Sequence, residues 1–438
     1  MKNILITGGC GFIGSNFINY LYFHEPDYNI VNIDAMYYCA SETNVNKEIQ
    51  ESNKYKLIKG NLCDYDVVYN VVNDNNIDYI IHFAAQSHVQ NSFDDALQYT
   101  KDNIVGTHNL LEVCRKYGKI KRFIHVSTDE VYGESMISDN EDKKNEESIL
   151  CPTNPYAATK AGAELIAQSY YHSFNLPIII TRGNNVYGSN QYPEKIIPRF
   201  IKQLKENKKV TIQGDGSNVR AFIHVMDVAR AFTTILEKGE VGEIYNIGSD
   251  DKEEYSVLEI AKILIKKIKK TDNYLDYIEY IDDRPFNDKR YYISNEKIKK
   301  LGWNIIENFD DGINNLIADS KSDTSTTSVG FSDIISLNQS FSIADEDHAN
   351  VLGQKIIISV QQGKNTVTKV ENIPEQYSLN KLLKTLTAKN MLSCGGHIAK
   401  DKESKKEFIV LQGNFPTEVS KFLVEKGLAD AECIICRG

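Results

Sequence analysis

The 438-residue chain carries 60 acidic against 50 basic side chains, for a net charge of −10, with 41% hydrophobic residues. That balance excludes a chain-wide polyanion-binding or membrane-surface role and is long enough for two or three domains with sizeable cores. It conceals an asymmetry: residues 351–438 hold thirteen Lys and Arg against nine Asp and Glu, so this end is at +4 and the first 350 residues are near −14, and the two ends are expected to have different partners.

No apolar run approaches the ~18 residues of a membrane span. Met1-Lys2-Asn3 runs directly into Ile4-Leu5-Ile6, a first core strand that leaves no room for a signal peptide, so a cytoplasmic protein with neither membrane nor DNA as partner is expected. Eight cysteines without framework spacing suit reduced thiols. Cys433 and Cys436 form the one close pair and, with no second pair in metal spacing, read as structural or incidental.

The chain opens as strand, glycine turn and helix: Ile4 to Thr7, then Gly8-Gly9-Cys10-Gly11-Phe12-Ile13-Gly14, then a helical pattern from Ser15 to Phe23. Gly9, Gly11 and Gly14 fit the dinucleotide fingerprint, and Gly8, Gly11 and Gly14 its wider variant. Such a turn, with Phe12 and Ile13 at the helix start, lets backbone approach a pyrophosphate. A second strand, Ile30 to Ile33, ends in Asp34, twenty residues past Gly14. A carboxylate there hydrogen-bonds a ribose diol and repels a 2′-phosphate, which selects NAD over NADP. The competing reading is a plain structural turn with a surface Asp34. Strands at Tyr55 to Lys59 and Tyr79 to Phe83 follow, ending at Asn61-Leu62 and at Ala84-Ala85-Gln86-Ser87-His88. The small Ala84 and Ala85 permit close approach of a cofactor ring or diphosphate. Alternation of short strands with helices through residue 182 predicts an α/β fold, a Rossmann-type doubly wound parallel sheet over residues 1–182.

The chemistry is concentrated between residues 127 and 160. Arg122 to Val126 is an apolar, β-branched strand that places Thr128, Asp129 and Glu130 at its carboxyl end, where ligands bind in open α/β sheets. Beyond Pro155, Tyr156 and Lys160 stand four apart and share one helix face. A lysine cation beside a phenol favours the phenolate and lowers its pKa from ~10, so Tyr156 is a candidate general base. The spacing alone also describes a packed tyrosine beside a solvated lysine. The acidic segment Ser138 to Ser148 reads as a solvated loop over the site.

Residues 183–318, beginning after the strand Ile178 to Thr181, read as a smaller, mainly substrate-binding lobe. Polar and cationic residues recur on its loops and beside Ser87: Asn185, Glu194, Lys195, Arg220 after the turn at 214–216, and Arg284 ahead of Arg290. Together they suggest a clamp for a second diphosphate, because guanidinium matches phosphate oxygens in bidentate fashion. Residues 319–350, rich in Ser, Thr and Asp, read as a flexible linker. Structure resumes with a hairpin over Lys355 to Val370, a helix from Ser378 to Lys389, strands near His397 and at Phe408 to Gln412, and a helix from Pro416 to Lys426. This predicts a small α+β sandwich over 351–438 with no acid, base or nucleophile constellation, for which a binding role is preferred.

Five motifs carry a resemblance across residues 1–318: Thr7 to Gly14, Phe83 to Val89, Ser127 to Gly133, Tyr156 with Lys160, and Tyr245 to Gly248. Together they resemble the extended short-chain dehydrogenase/reductases and, within them, the nucleotide-sugar 4,6-dehydratases. Thr181 to Gly188, Gly214 to Arg220 and Asp283 to Asp288 look most like UDP-glucose 4,6-dehydratases of rhamnose synthesis, with dTDP-glucose enzymes second. The resemblance implies that Tyr156, its pKa held down by Lys160, takes the sugar 4-hydroxyl proton as C4 gives a hydride to NAD, and that Thr128 hydrogen-bonds the 4-oxygen. Glu130 would then remove the C5 hydrogen, Asp129 protonate the departing 6-hydroxyl, and NADH return hydride to C6. A homodimer formed through a helix pair is implied as well. Asn61 and Gln90 stand where the family usually has Asp, the first at a position that approaches the adenine. Residues 351–438 resemble the eukaryotic translation initiation factor 1 family at Gln361 to Lys364, the helix Lys381 to Lys389, Cys394 to Gly396 and Leu411 to Gly413. That implies binding to small ribosomal subunit RNA, in keeping with the positive charge.

Overall fold

Between residues 2 and 247, ten short runs, most of them β-branched and apolar, become strands. These are β1 (Lys2–Thr7), β2 (Tyr28–Asp34), β3 (Tyr55–Lys59), β4 (Tyr79–His82), β5 (Arg122–Thr128), β6 (Ile178–Gly183), β7 (Asn185–Tyr187), β8 (Val210–Gln213), β9 (Val219–His224) and β10 (Ile244–Ile247). The computed structural model describes residues 1–135, 143–250, 253–283 and 286–319, and then 356–361, 366–371, 373, 379–387, 394–400, 407–425 and 434–437. The chain divides near residue 326 into two units.

In the first unit seven strands form one sheet in the order β10-β6-β5-β4-β1-β2-β3, and every pairing is parallel. Parallel strands need crossovers, and the helices supply both outer layers. Phe17, Ile18, Leu21, Phe232 and Ile235 of helices Phe12–His24 and Val225–Lys238 pack on one face. Val68, Val72, Leu110, Leu111, Ala167 and Tyr170 of helices Tyr65–Asp74, Gly106–Tyr117 and Pro155–Phe174 pack on the other. The strand order reverses between β1 and β4, so their carboxyl ends flank a crevice, the expected ligand position of such sheets. The first helix starts at Phe12, three residues ahead of its apolar pattern, because extended Gly11 (φ −79°, ψ −177°) serves as N-cap.

The smaller lobe pairs β9 with β7 and with β11 (Glu254–Ser256), and β8 with β12 (Ile278–Ile281). Its own core joins Tyr187, Phe200, Leu204, Ile212, Leu264 and Phe309. Part of the segment read as a solvated loop is instead anchored. Lys144 N donates to Tyr292 O and Ser294 N to Lys144 O, both at 2.8 Å, while Glu146 accepts from Asn246 N at 2.9 Å.

The second unit is a five-stranded sheet of β13 (Ile356–Gln361), β14 (Val367–Glu371), β15 (Gly396–Lys400), β16 (Glu407–Gln412) and β17 (Ile434–Arg437), in the order β15-β16-β14-β13-β17. Helices Leu379–Thr387 and Pro416–Glu425 close a core of Ile356, Ile358, Val370, Leu386, Leu411, Val419 and Phe422. The α+β expectation holds, with one strand more than predicted: β17 runs parallel to β13 and contains Cys436. Cys433 and Lys364 lie outside the described residues. No helix among the described residues is long and apolar enough to cross a membrane.

Behind β6 lies a buried ion pair between Arg182 and Glu164, both essentially solvent-free. Arg182 also donates to the Tyr132 hydroxyl at 2.7 Å, which donates to Asn246 at 2.8 Å. Truncating one member of such a pair strands a buried charge. Glu164→Ala is therefore expected to lower unfolding stability by about 3–5 kcal/mol, read from the urea midpoint, and an unchanged midpoint would refute the assignment.

Candidate active site

The crevice is a cleft of about 240 Å³ lined by Gly8, Gly11, Phe12, Ile13 and Gly14 at one wall, by Asp34, Asn61 and Leu62 at one end, and by Ala84, Ala85, Ser87, Tyr156 and Lys160 at the other. The glycine turn is tight for steric reasons. A Cβ on Gly8 (φ 71°) would lie 2.7 Å from Ala84 Cα, and one on Gly14 would lie 2.5 Å from Gly8 O. Only Gly8 O, at 3.2 Å, approaches a Cβ on Gly11. No side chain caps the helix that starts at Phe12, so its first-turn N–H groups suit a diphosphate. Asp34 is buried rather than on the surface. Its Oδ2 accepts from Cys10 N at 2.9 Å and its Oδ1 from Met36 N at 2.8 Å, while burial pushes its carboxyl up. The second lone pair of each oxygen remains available to a ribose diol.

The chemical cluster stands where β5 ends. Thr128, in extended conformation, caps a 3₁₀ turn over Asp129–Tyr132, and Thr128 Oγ1 accepts from Glu130 N at 3.3 Å and donates to Asp129 Oδ1 at 3.2 Å. The two carboxylates, adjacent in sequence, meet different surroundings. Asp129 is 2% exposed and accepts from Asn184 Nδ2 at 2.6 Å. Burial first, and then the Glu130 charge, push its pKa up to about 7. Glu130 accepts from Asn154 Nδ2 at 2.9 Å, and the Tyr291 hydroxyl, which donates its one proton to Asp288 Oδ2, lies 3.4 Å from the Glu130 carboxylate. Asn154 also caps the helix Pro155–Phe174 by accepting from Ala157 N at 2.9 Å, which fixes the carboxylate relative to the helix that carries Tyr156 and Lys160.

The pKa control expected of Tyr156 and Lys160 requires correction. Burial, then the Glu130 charge, push the Tyr156 phenol up, opposed by a hydrogen bond with Thr128. Lys160, 4% exposed, donates to Val126 O at 2.5 Å, and burial lowers its pKa to about 8. Sharing a helix face brought both residues into the cleft, but the ammonium is directed at a strand carbonyl.

A second pocket, of about 260 Å³, extends from Glu130 past Asn185, Glu194 and Lys195 to Arg199, Arg220 and Tyr291. Lys195 donates to Ser87 O at 2.8 Å, and Glu194 accepts from the Tyr38 hydroxyl at 2.6 Å. Arg220 lies over the Tyr291 ring, 4.9 Å from its centroid. Arg290 turns away into a bidentate pair with Glu254, and Arg284 lies outside the described residues. Three residues of the site carried no sequence signal, Asn154, Tyr291 and Arg199, and Asn184 was legible only as part of the motif Thr181 to Gly188. Arg199 forms no ion pair among the described residues, its Nε has no hydrogen-bond partner, and burial lowers its pKa.

A doubly wound parallel sheet with a glycine turn, a buried carboxylate after β2 and a Tyr-Lys helix beside the crevice defines an enzyme of the short-chain dehydrogenase/reductase type. Residues 5–316 match the family model described as GDP-mannose 4,6 dehydratase, and the chain belongs to this family of nucleotide-sugar dehydratases, which are hydro-lyases. Residues 353–429 match the model of translation initiation factor SUI1. A trifunctional UDP-glucose 4,6-dehydratase/UDP-4-keto-6-deoxy-D-glucose 3,5-epimerase/UDP-4-keto-L-rhamnose-reductase of Arabidopsis thaliana is 48% identical over 71% of this chain and 46% of its own length. The chain thus spans about half the length of that relative. A dTDP-D-glucose 4,6-dehydratase of Dictyostelium discoideum is 45% identical over 72% of this chain and 80% of its own. Among solved structures, a dTDP-glucose 4,6-dehydratase from Streptomyces venezuelae with NAD bound superposes with TM-score 0.69 at 33% identity, over 73% of this chain and 97% of that one.

The raised Asp129 carboxyl has a measurable consequence. The folded state holds this proton more tightly than the unfolded chain does, so its contribution to stability is complete at acid pH and is lost as pH rises from about 3.8 towards about 7. Asp129→Asn should flatten the stability profile across that window in denaturation series at stepped pH. A slope identical to the parent's would contradict the burial of an ionisable group there.

Proposed function

We propose that residues 1–318 form an NAD-dependent UDP-glucose 4,6-dehydratase, with dTDP-glucose as the alternative substrate. The observation that carries this reading is the pair of adjacent carboxyls in unlike environments. Elimination of water needs one group that donates a proton and another that accepts one. Asp129, with its pKa near 7, holds a proton for a departing 6-hydroxyl. Glu130, steadied by Asn154, is the base for the C5 hydrogen. Tyr156 takes the 4-hydroxyl proton and Thr128 hydrogen-bonds the 4-oxygen. NAD in the cleft would supply the hydride acceptor for C4 and donor for C6, and a cationic ring that opposes the upward push on Tyr156. A simple 4-epimerisation gives the two carboxyls no such task.

In this reading the second pocket receives the nucleoside diphosphate, with Asn185, Lys195 and Arg220 around it, Arg199 as a cation with no ion-pair partner among the described residues that an anion would satisfy, and Arg284 as a further cation proposed for the same group. The 48% identity to the plant UDP-glucose enzyme supports uridine, and the match along most of the Dictyostelium discoideum enzyme supports thymidine. Exposed Val105 and Leu165, on or beside the helices of one sheet face, support a homodimer. The free cysteines among the described residues suit a cytoplasmic setting. Residues 351–438 are assigned to binding small ribosomal subunit RNA, on the SUI1 match and their net positive charge.

Incubation with UDP-glucose or dTDP-glucose, without added NAD, is expected to release one water from the former, seen by mass spectrometry. Loss from dTDP-glucose alone would transfer the assignment, and loss from neither, even with NAD added, would reject it. Glu130→Gln should bind NAD yet form no dehydrated product. For the C-terminal unit, binding to isolated small ribosomal subunits should weaken with added salt and with Lys364→Ala, whereas no binding at low salt would reject the RNA assignment.

A further inference from the structure

At the adenosine end of the cleft, three loops and a helix turn are joined by side chains that take no part in the chemical cluster. Asn61, after β3, donates from Nδ2 to the Tyr37 hydroxyl oxygen at 2.8 Å. Tyr37, after β2, donates that hydroxyl to Asp102 Oδ1 at 3.2 Å. Asp102 Oδ2 in turn accepts from Gln86, after β4, at 3.0 Å and from Gln98 at 2.8 Å. Tyr37, Asn61, Gln86 and Asp102 all line the cleft that the glycine turn also lines. We propose that Tyr37, Asn61 and Asp102 form a hydrogen-bonded strap at the rim of this cleft, which holds the adenosine half of the dinucleotide and sets how long it stays bound. The proposal rests on the reading of the cleft as an NAD site.

The direction of each bond gives Asn61 a specific part. Its Oδ1 accepts from Cys63 N at 2.8 Å, which orients the amide so that Nδ2 faces Tyr37. The phenol oxygen therefore accepts, and its single proton is free for Asp102. The row runs head to tail from amide to phenol to carboxylate. A carboxylate at position 61 would leave two anionic acceptors competing for one phenolic proton, so the asparagine is what lets the row close.

The backbone supplies the other end. Thr100–Val105 is a π turn, and such insertions displace the residues that follow onto a new face. Here consecutive residues grip the same loop: Asp102 holds the Gln86 side chain, and Asn103 holds its backbone, accepting from Gln86 N at 2.8 Å and donating to Gln86 O at 3.1 Å. The bonds from Asn61 and to Asp102 are solvent-exposed. Water competes for them, so the strap opens readily enough to admit a ligand and slows release by the worth of a hydrogen bond or two. Tyr37 and Asp102 are positioning residues, since neither lines the pocket of Thr128, Asp129 and Glu130.

The test is exchange of bound NAD for isotopically labelled NAD on the full chain. Tyr37→Phe and Asp102→Ala should each speed exchange about tenfold. Asp102→Asn keeps one acceptor oxygen for the Tyr37 hydroxyl but turns an NH2 group toward the Gln86 and Gln98 amides, so it should exchange faster than the parent and slower than Asp102→Ala. Combining Asn61→Ala with Tyr37→Phe should add nothing to the single change, because each removes the same link. Parental exchange rates in both Tyr37→Phe and Asp102→Ala, or full additivity in the double variant, would overturn the strap while leaving the NAD site intact. A parent chain that binds no NAD would overturn the cofactor reading itself and the strap with it.

Discussion

Adjacent carboxylates repel, and the buried one of this pair, Asp129, is pushed up first by burial and then by the Glu130 charge. The 3₁₀ turn after β5 resolves this by sending them to different neighbours. Asp129 goes inward to Asn184 and Thr128, where the proton is held; Glu130 goes to Asn154 and Tyr291. The separation depends on the sheet. Asn184 follows β6, which pairs with β5 in a register that sets Thr128 opposite Gly183, so the amide that receives Asp129 is placed by strand pairing. Without that register the two groups would compete for one environment.

Asn154 couples this pair to the rest of the site. One side chain caps the helix Pro155–Phe174 through its oxygen and holds Glu130 through its nitrogen. The helix start, the phenol at its second residue and the carboxylate are therefore held together. The same helix is tied to the opposite wall by Asn103, which donates to Thr159 at 2.9 Å while holding the backbone of Gln86. Precision of this kind comes from regular elements whose ends are pinned by single polar side chains.

What could be read in the sequence was what short-range geometry decides. The glycine turn, Asp34, the carboxyl-end position of Thr128 to Glu130 and the shared face of Tyr156 and Lys160 follow from spacings of a few residues, and the structure gathers them around one crevice. The partners that tune them lie far away in sequence: Tyr291 reaches Glu130 across 161 positions and Asn184 reaches Asp129 across 55. No local pattern encodes such pairs. The pKa reading failed for the same reason. A four-residue spacing fixes the helix face, whereas the direction of the Lys160 ammonium is set by the Val126 carbonyl on a strand 34 residues earlier. Arg290 looked like a free loop cation until β11 placed Glu254 beside it.

Each unit of the chain has a hydrophobic core of its own among the described residues. Every side chain gathered at the described site falls between Gly8 and Tyr291, and the second unit closes its own core from Ile356 to Phe422. With separate cores, the guaranteed effect of a covalent connection is to keep the two units at a high local concentration of each other. The physical consequence of joining them is co-localisation.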